Sequence, residues 1–174
     1  MEKFYSNIVG TAVGEHDSRR SFTTVKDVVV DPENGKIVAF IVDLRRNLVV
    51  TPVDIVFWTD RILISDHDAI IEAGEVLRVS QIQNKNIHIP KCPVETEEGK
   101  YLGQVLDFSV GNKDFILKKL FVAKGFWGLF RYENRIISYK NIVEILPKKI
   151  IVKNDLQTVK EESSRGVAED LAAG

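Results

Sequence analysis

The feature that most constrains this chain is that it repeats itself. Val25-Lys26-Asp27-Val28 can be set against Val105-Leu106-Asp107-Phe108, a separation of 80 positions. At the same separation Val30 meets Val110, Ile37 meets Leu117, Phe40 meets Leu120, and Ile41-Val42 meets Phe121-Val122. Further on, Ile55 is expected to meet Val143, and Ile62-Leu63-Ile64 meets Ile150-Ile151-Val152, 88 positions apart. The second copy would then hold eight extra residues within Ala123 to Arg135. Apolar positions that recur in register mean a duplicated unit, each copy filling the same small core.

The unit is made of strands. Val25, Val28, Val29 and Val30 run into Asp31-Pro32-Glu33-Asn34-Gly35, where proline presets φ and Asn-Gly supplies positive φ at low cost. Ile37 to Val42 reads as the return strand, and Leu48 to Val50, Val53 to Trp58 and Ile62 to Ile64 follow as short runs between turn signals. The β pattern returns from Ile87, with strands over Leu102 to Val110 and Leu117 to Val122, at Ile136-Ile137, over Ile142 to Leu146 and over Ile150 to Val152. Between the copies, Ala69 to Ala73 suggests one helical turn and Glu75 to Gln83 a second short helix with Leu77 and Ile82 inward. After Asp155 the chain becomes polar and acidic, as a disordered tail or a weak helix would. The expected organisation is a β unit over 1–68, a linker with a short helix over 69–86, a second unit over 87–156 and a tail over 157–174.

These residues resemble a known family. Lys26 to Val42, with Val53-Asp54-Ile55 and Asp60 to Ile64, is similar to the signature of the PRC-barrel domain, and Thr96 to Asp107 is similar to its opening hairpin. The first copy departs from the pattern at Glu15 to Thr23, which lacks the usual glycine pair, and the second departs by its insertion. The resemblance implies an all-β fold of two tandem six-stranded barrels. The family includes the cytoplasmic part of the photosynthetic reaction-centre H subunit and the C-terminal domain of a ribosome-maturation factor. It therefore implies docking onto larger assemblies and brings no catalytic residue set.

Bottom-up chemistry points the same way. Net charge is −1, so no global basic field draws the chain to nucleic acid or to an anionic membrane. Cys92 is the only cysteine, which fits a reducing compartment, and the apolar runs are too short to span a bilayer, so a cytoplasmic location is expected. Lys91 is the only cation flanking Cys92, and an inert buried thiol is the expectation. His16, His67 and His88 have neither metal nor triad spacing, and Asp66-His67-Asp68 reads as a solvated turn. Asp27 and Asp107 recur within strands, as carboxylates that bond a turn or face solvent. Phe57-Trp58 reads as the end of a strand that packs in the core or between the units. No enzyme, metal or cofactor is expected.

The insertion carries the functional expectation. Lys124, Phe126, Trp127, Leu129, Phe130 and Arg131 place aromatics, glycines and flanking cations in one segment. The first copy has only Arg45-Arg46-Asn47 there, so a core does not require them. Such a segment either packs on the protein's own surface or docks a partner protein. Contact with a membrane interface and stacking on RNA are the other readings, the latter with Lys124, Arg131 and Arg135 on phosphates. The expected function is a non-catalytic adaptor that docks onto a larger complex. The alternatives are a ribosome-maturation or RNA-associated factor and a peripheral membrane protein.

Overall fold

The computed structural model describes residues 1–16, 21–126 and 129–154, with the backbone alone for 125, 126 and 129–133. The chain is mostly β. Strand β1 (Glu2–Phe4) and a one-turn helix α1 (Tyr5–Ile8) precede β2 (Ala12–Glu15), β3 (Ser21–Thr24), β4 (Asp27–Val30), β5 (Ile37–Asp43), β6 (Leu48–Val50), β7 (Ile55–Trp58) and β8 (Ile62–Ile64). A connecting segment holds β9 (Ile71–Glu72) and α2 (Leu77–Asn84). The second half comprises β10 (Pro93–Thr96), β11 (Tyr101–Gly111), β12 (Leu117–Phe126), β13 (Leu129–Ser138), β14 (Ile142–Ile145) and β15 (Ile150–Val152).

The same backbone register recurs in the two halves. Asp27 pairs with Ile41, Val28 with Phe40, Val29 with Ala39 and Val30 with Ile37, with an irregularity between Val29 and Val30. At a separation of 80, Asp107 pairs with Phe121, Phe108 with Leu120, Ser109 with Lys119 and Val110 with Leu117, and the irregularity recurs between Ser109 and Val110. Parallel pairs recur as well: Val13 lies beside Ile62 in one half and Val94 beside Ile150 in the other. The turn after β4 forms as its residues dictate. The Asp31 carboxylate accepts from Glu33 N–H and Asn34 Nδ2, and Gly35 takes φ +68°.

Among the described residues the ladders form three open sheets. One runs β13-β12-β11-β10-β15-β14 with β1 added to β11, and the others are β3-β2-β8-β7 and β4-β5-β6-β9. The first half splits because β3 and β4 part at Val25-Lys26, where Val25 N–H bonds Thr11 and Lys26 N–H bonds Ile41. The second half runs β11 unbroken past the equivalent Val105-Leu106 by means of a bulge.

Four local expectations are corrected. Ile55 and Ile142 are equivalent, because each is the residue of its strand that pairs with the last of the next, Ile64 and Val152. The insertion before β14 is therefore seven residues (Ile55 to Ile142 is 87), not eight, and one more lies between β14 and β15. Leu77 is 71% exposed, and Val79 and Ile82 are the buried residues of α2, because the helix starts at Leu77 and puts the i, i+3 pair inward. Ala69 to Ala73 is no helical turn: 3-10 turns at His67–Ala69 and Ala73–Glu75 flank β9, with the β-branched Ile71 extended. Trp58 is buried, but Phe57 is 53% exposed, since neighbours on a strand face opposite sides.

One buried apolar cluster runs through both halves, from Val13, Phe40, Trp58 and Ile64 to Val94, Phe108, Leu120 and Val152. Where the halves meet, the Trp58 and Phe115 rings stack at 5.5 Å and Phe40 sits edge-on to Trp58 at 5.2 Å. The backbone there is reciprocal: Ile37 N–H bonds Phe115 O and Leu117 N–H bonds Gly35 O, each at 2.8 Å. Donors and acceptors are equivalent residues at a separation of 80, and the bridge between them joins Lys36 to Ile116, another equivalent pair. The halves are thus related by a local two-fold through these two turns. Gly35 lies so close to Tyr139 that an added Cβ would fall 2.5 Å from the ring.

A second cluster covers the outer face of the first half, with Val29, Ala39, Ile41 and Val49 packed under Ala73, Val79 and Ile82. It is held down by Arg78, whose guanidinium donates to both oxygens of Asp31 at 2.7–3.0 Å and to Glu33 at 2.8 Å. Asp31 is only 2% exposed.

Candidate docking site

The seven extra residues of the second half lengthen a hairpin. β5 and β6 span seven and three residues; β12 and β13 span ten each. The extension is ladder, since Ala123 pairs with Asn134, Lys124 with Glu133, Gly125 with Tyr132 and Phe126 with Leu129. The inserted segment is therefore continuous with its strands, as β-formers such as Phe126, Phe130 and Tyr132 favour. Buried side chains on β12 stop at Ala123 in the described residues.

The structure places the expected site residues unequally. Lys124 stands at the root of the extension, with Nζ 5.5 Å above the Tyr101 ring and 3.3 Å from the Tyr101 carbonyl. This cation–ring contact ties the hairpin to the start of β11. Phe126, Leu129, Phe130 and Arg131 lie on the extended strands, and their side chains are outside the described residues. Trp127 is outside them altogether. Arg135 lies on β13, three residues from the end of the strand.

A second surface escaped sequence reasoning. β1 crosses to the second half, pairing Glu2 with Gly111 and Phe4 with Ser109. Phe4, 40% exposed, lies 5.2 Å from Phe121. Glu2 accepts from Ser109 Oγ at 2.9 Å and from Lys119 at 3.1 Å, and the serine bond, then the lysine, holds its carboxyl below the usual range. Three residues of strand inside a polar N-terminus have no periodicity that would give them away.

Most of the remaining candidates have structural partners. Asp27 and Asp107 each accept from the N–H of the following residue at 2.8 Å, and α1 bridges them. Tyr5 Oη donates to Asp27 at 3.0 Å, and Ser6 donates through N–H and Oγ to Asp107. Burial first, and the Asp27 charge second, pushes the Tyr5 hydroxyl up to about 12. Tyr5 also stacks on Phe108 at 4.8 Å. His16 lies against Phe57 and His67 against Phe22, each at 5.2 Å. The Asp66 side chain accepts from Asp68 N–H, closing an exposed turn. Cys92 is buried, which raises its thiol above the ordinary value. Among the described residues no group of three or more His, Cys, Asp or Glu is arranged to hold a metal ion. Nor is any helix there long and apolar enough to cross a membrane.

Compared with known proteins, residues 1–87 match the family model of the PRC-barrel domain. No curated protein matches the chain.

Proposed function

The chain belongs to the PRC-barrel domain family, and from that premise we propose that it is a non-catalytic adaptor, a tandem pair of PRC-type units docking onto a larger protein complex through the β12–β13 hairpin. The family is in general one of protein-interaction modules. The observation that carries the finer reading is the hairpin itself. It extends a repeat whose other copy builds the same register without it, and among the described side chains the buried residues of β12 stop at Ala123. A ladder-paired arm carrying Phe126, Trp127, Leu129 and Phe130 between Lys124 and Arg131 suits the core of a protein contact, where aromatics and arginine contribute most. The non-catalytic part is supported by the placement of the reactive candidates: Cys92 is buried, and Asp27 and Asp107 are occupied by α1.

Changing Phe126, Trp127 and Phe130 to Ser together tests this. Co-purification of a partner complex from native cells should be lost, while the thermal midpoint stays within ~2–4 °C, the shift that about 1 kcal/mol produces at this size. Partner recovery that survives the change removes the hairpin as the docking element. Salt-sensitive RNA binding weakened by Lys124→Ala would move the reading to an RNA-associated factor. Flotation with anionic liposomes would move it to a peripheral membrane protein.

A further inference from the structure

The connecting segment is pinned at both ends and laid over the sheet in between. Ala69 and Ile70 at one end, and Ile87 and Ile89 at the other, pack with the cluster that runs through both halves. Those between them pack elsewhere: Ile71, Ala73, Val76, Val79 and Ile82 lie on Val29, Ala39, Ile41 and Val49 in a cluster of their own. Along β5 the two clusters take opposite faces, since Phe40 and Val42 belong to the first and Ala39 and Ile41 to the second. The layer made by β9 and α2 can therefore leave without opening the shared core.

Its fastenings are polar and gathered at two turns. At the β4–β5 turn Arg78 donates to Asp31 and Glu33, and Lys85 lies 3.2 Å from Glu33. At the β5–β6 turn Asn47 holds φ +53° and exchanges two amide hydrogen bonds with Gln83, each 3.0 Å. The Asn47 carbonyl also accepts from Ala73 N–H at 2.9 Å, next to the two ladder pairs of β9 on β6. Both cations lie on the segment and both carboxylates on the turn, so one displacement breaks these ion pairs together. Helix α2 has eight residues and no side-chain cap on its N-terminus. A helix that short is marginal in water without a surface to pack on, so lifting and melting of α2 are one event.

We infer that residues 71–86 form a latched gate. Strand β9 and helix α2 leave the first-half sheet together, as a unit less stable than the shared core, and uncover the outer edge of β6 and the apolar face of Val29, Ala39, Ile41 and Val49. The core stays folded as they do so. Gly111 stands at the position equivalent to Asp31, so the latch belongs to the first half. The gate goes beyond the docking reading and does not depend on what the β12–β13 hairpin binds.

Native-state hydrogen exchange on the full chain, in urea too dilute to unfold it, tests the gate. The Ala73 amide and the helical amides of Ser80 to Gln83 should share one opening equilibrium with a shallow urea dependence. They should exchange about tenfold or more faster, relative to intrinsic rates, than the slowest amides of Leu120 to Val122. Two variants probe whether the unit is single. Asn47→Gly keeps the positive φ and removes the amide pair; Arg78→Lys keeps the charge and removes the fork. Each should speed Ala73 and Ser80 to Gln83 by one common factor, about two- to tenfold. Gate amides that follow the urea dependence of Leu120 to Val122 overturn the proposal, because the segment then opens only when the chain unfolds. So does a variant that speeds only the amides beside the substituted residue, because the segment then frays piecewise. If a variant does not fold, the wild-type urea dependences decide.

Discussion

The sheet around β4 and β5 and the sheet around β11 and β12 share their register residue for residue, yet what lies on their outer faces differs. Over the first, an apolar face of Val29, Ala39, Ile41 and Val49 is sealed by the connecting segment and latched by Arg78 on Asp31. Over the second, the equivalent residues are Ser109, Lys119, Phe121 and Ile136, and β1 covers part of them with Glu2 and Phe4. The inner faces must match because both fill one continuous core. Outer faces are free to diverge, and there the second half has acquired its long hairpin. The two halves share their interior pattern and differ on their exterior.

The sharpest way to break this comparison is in the shared core. Phe40 and Leu120 are equivalent and fully buried. Phe40→Ala should cost about 3–5 kcal/mol and Leu120→Ala about 2–5 kcal/mol, each in a single urea transition. Two transitions, with each variant moving only one, would show that the halves fold separately. Next in size is the latch. Arg78→Ala leaves Asp31 buried with only Glu33 N–H and Asn34 Nδ2 as donors, and should cost about 1–3 kcal/mol. The loss should be read as faster exchange in α2 with little change in β13.

Gly35 and Phe115 are equivalent, and both hold positive φ, +68° and +57°. Gly35→Ala should cost about 1–2 kcal/mol from the backbone, plus whatever Tyr139 must yield, by equilibrium unfolding. The smallest effect is at α1. Tyr5→Phe removes one bond to Asp27, about 0.5–1.5 kcal/mol near neutral pH. The hydroxyl titrates higher folded than unfolded, so its contribution is complete below about pH 10 and fades as pH rises towards about 12. The stability gap between wild type and Tyr5→Phe should therefore close over that interval.

How much of this was legible in the sequence follows from how each contact is encoded. The central hairpins were legible because short β-branched apolar runs and the Asp31–Gly35 turn are local signals, and the same pattern recurs 80 positions on. The position of Ile55 was misjudged by one residue because Val143 is as apolar as Ile142, and only pairing to Val152 tells them apart. Leu77 looked inward for a similar reason: composition names apolar residues, but the point where the helix starts sets which of them face the sheet. The crossing of β1 onto β11 and the bridge from Tyr5 and Ser6 to Asp27 and Asp107 are long-range pairings that no local pattern announces. Of the candidate site, the insertion itself was legible as a difference between copies, whereas its form as a continued ladder was not.

The central claim is that the hairpin extension is an addition to a repeat complete without it. Replacing residues 124–134 by the first-half turn Leu44-Arg45-Arg46-Asn47 makes the β12–β13 hairpin match the β5–β6 hairpin in length. The account predicts a single unfolding transition with a midpoint within ~2–4 °C of wild type. A chain that fails to fold, or that loses more than about 3 kcal/mol as core truncations do, would contradict it.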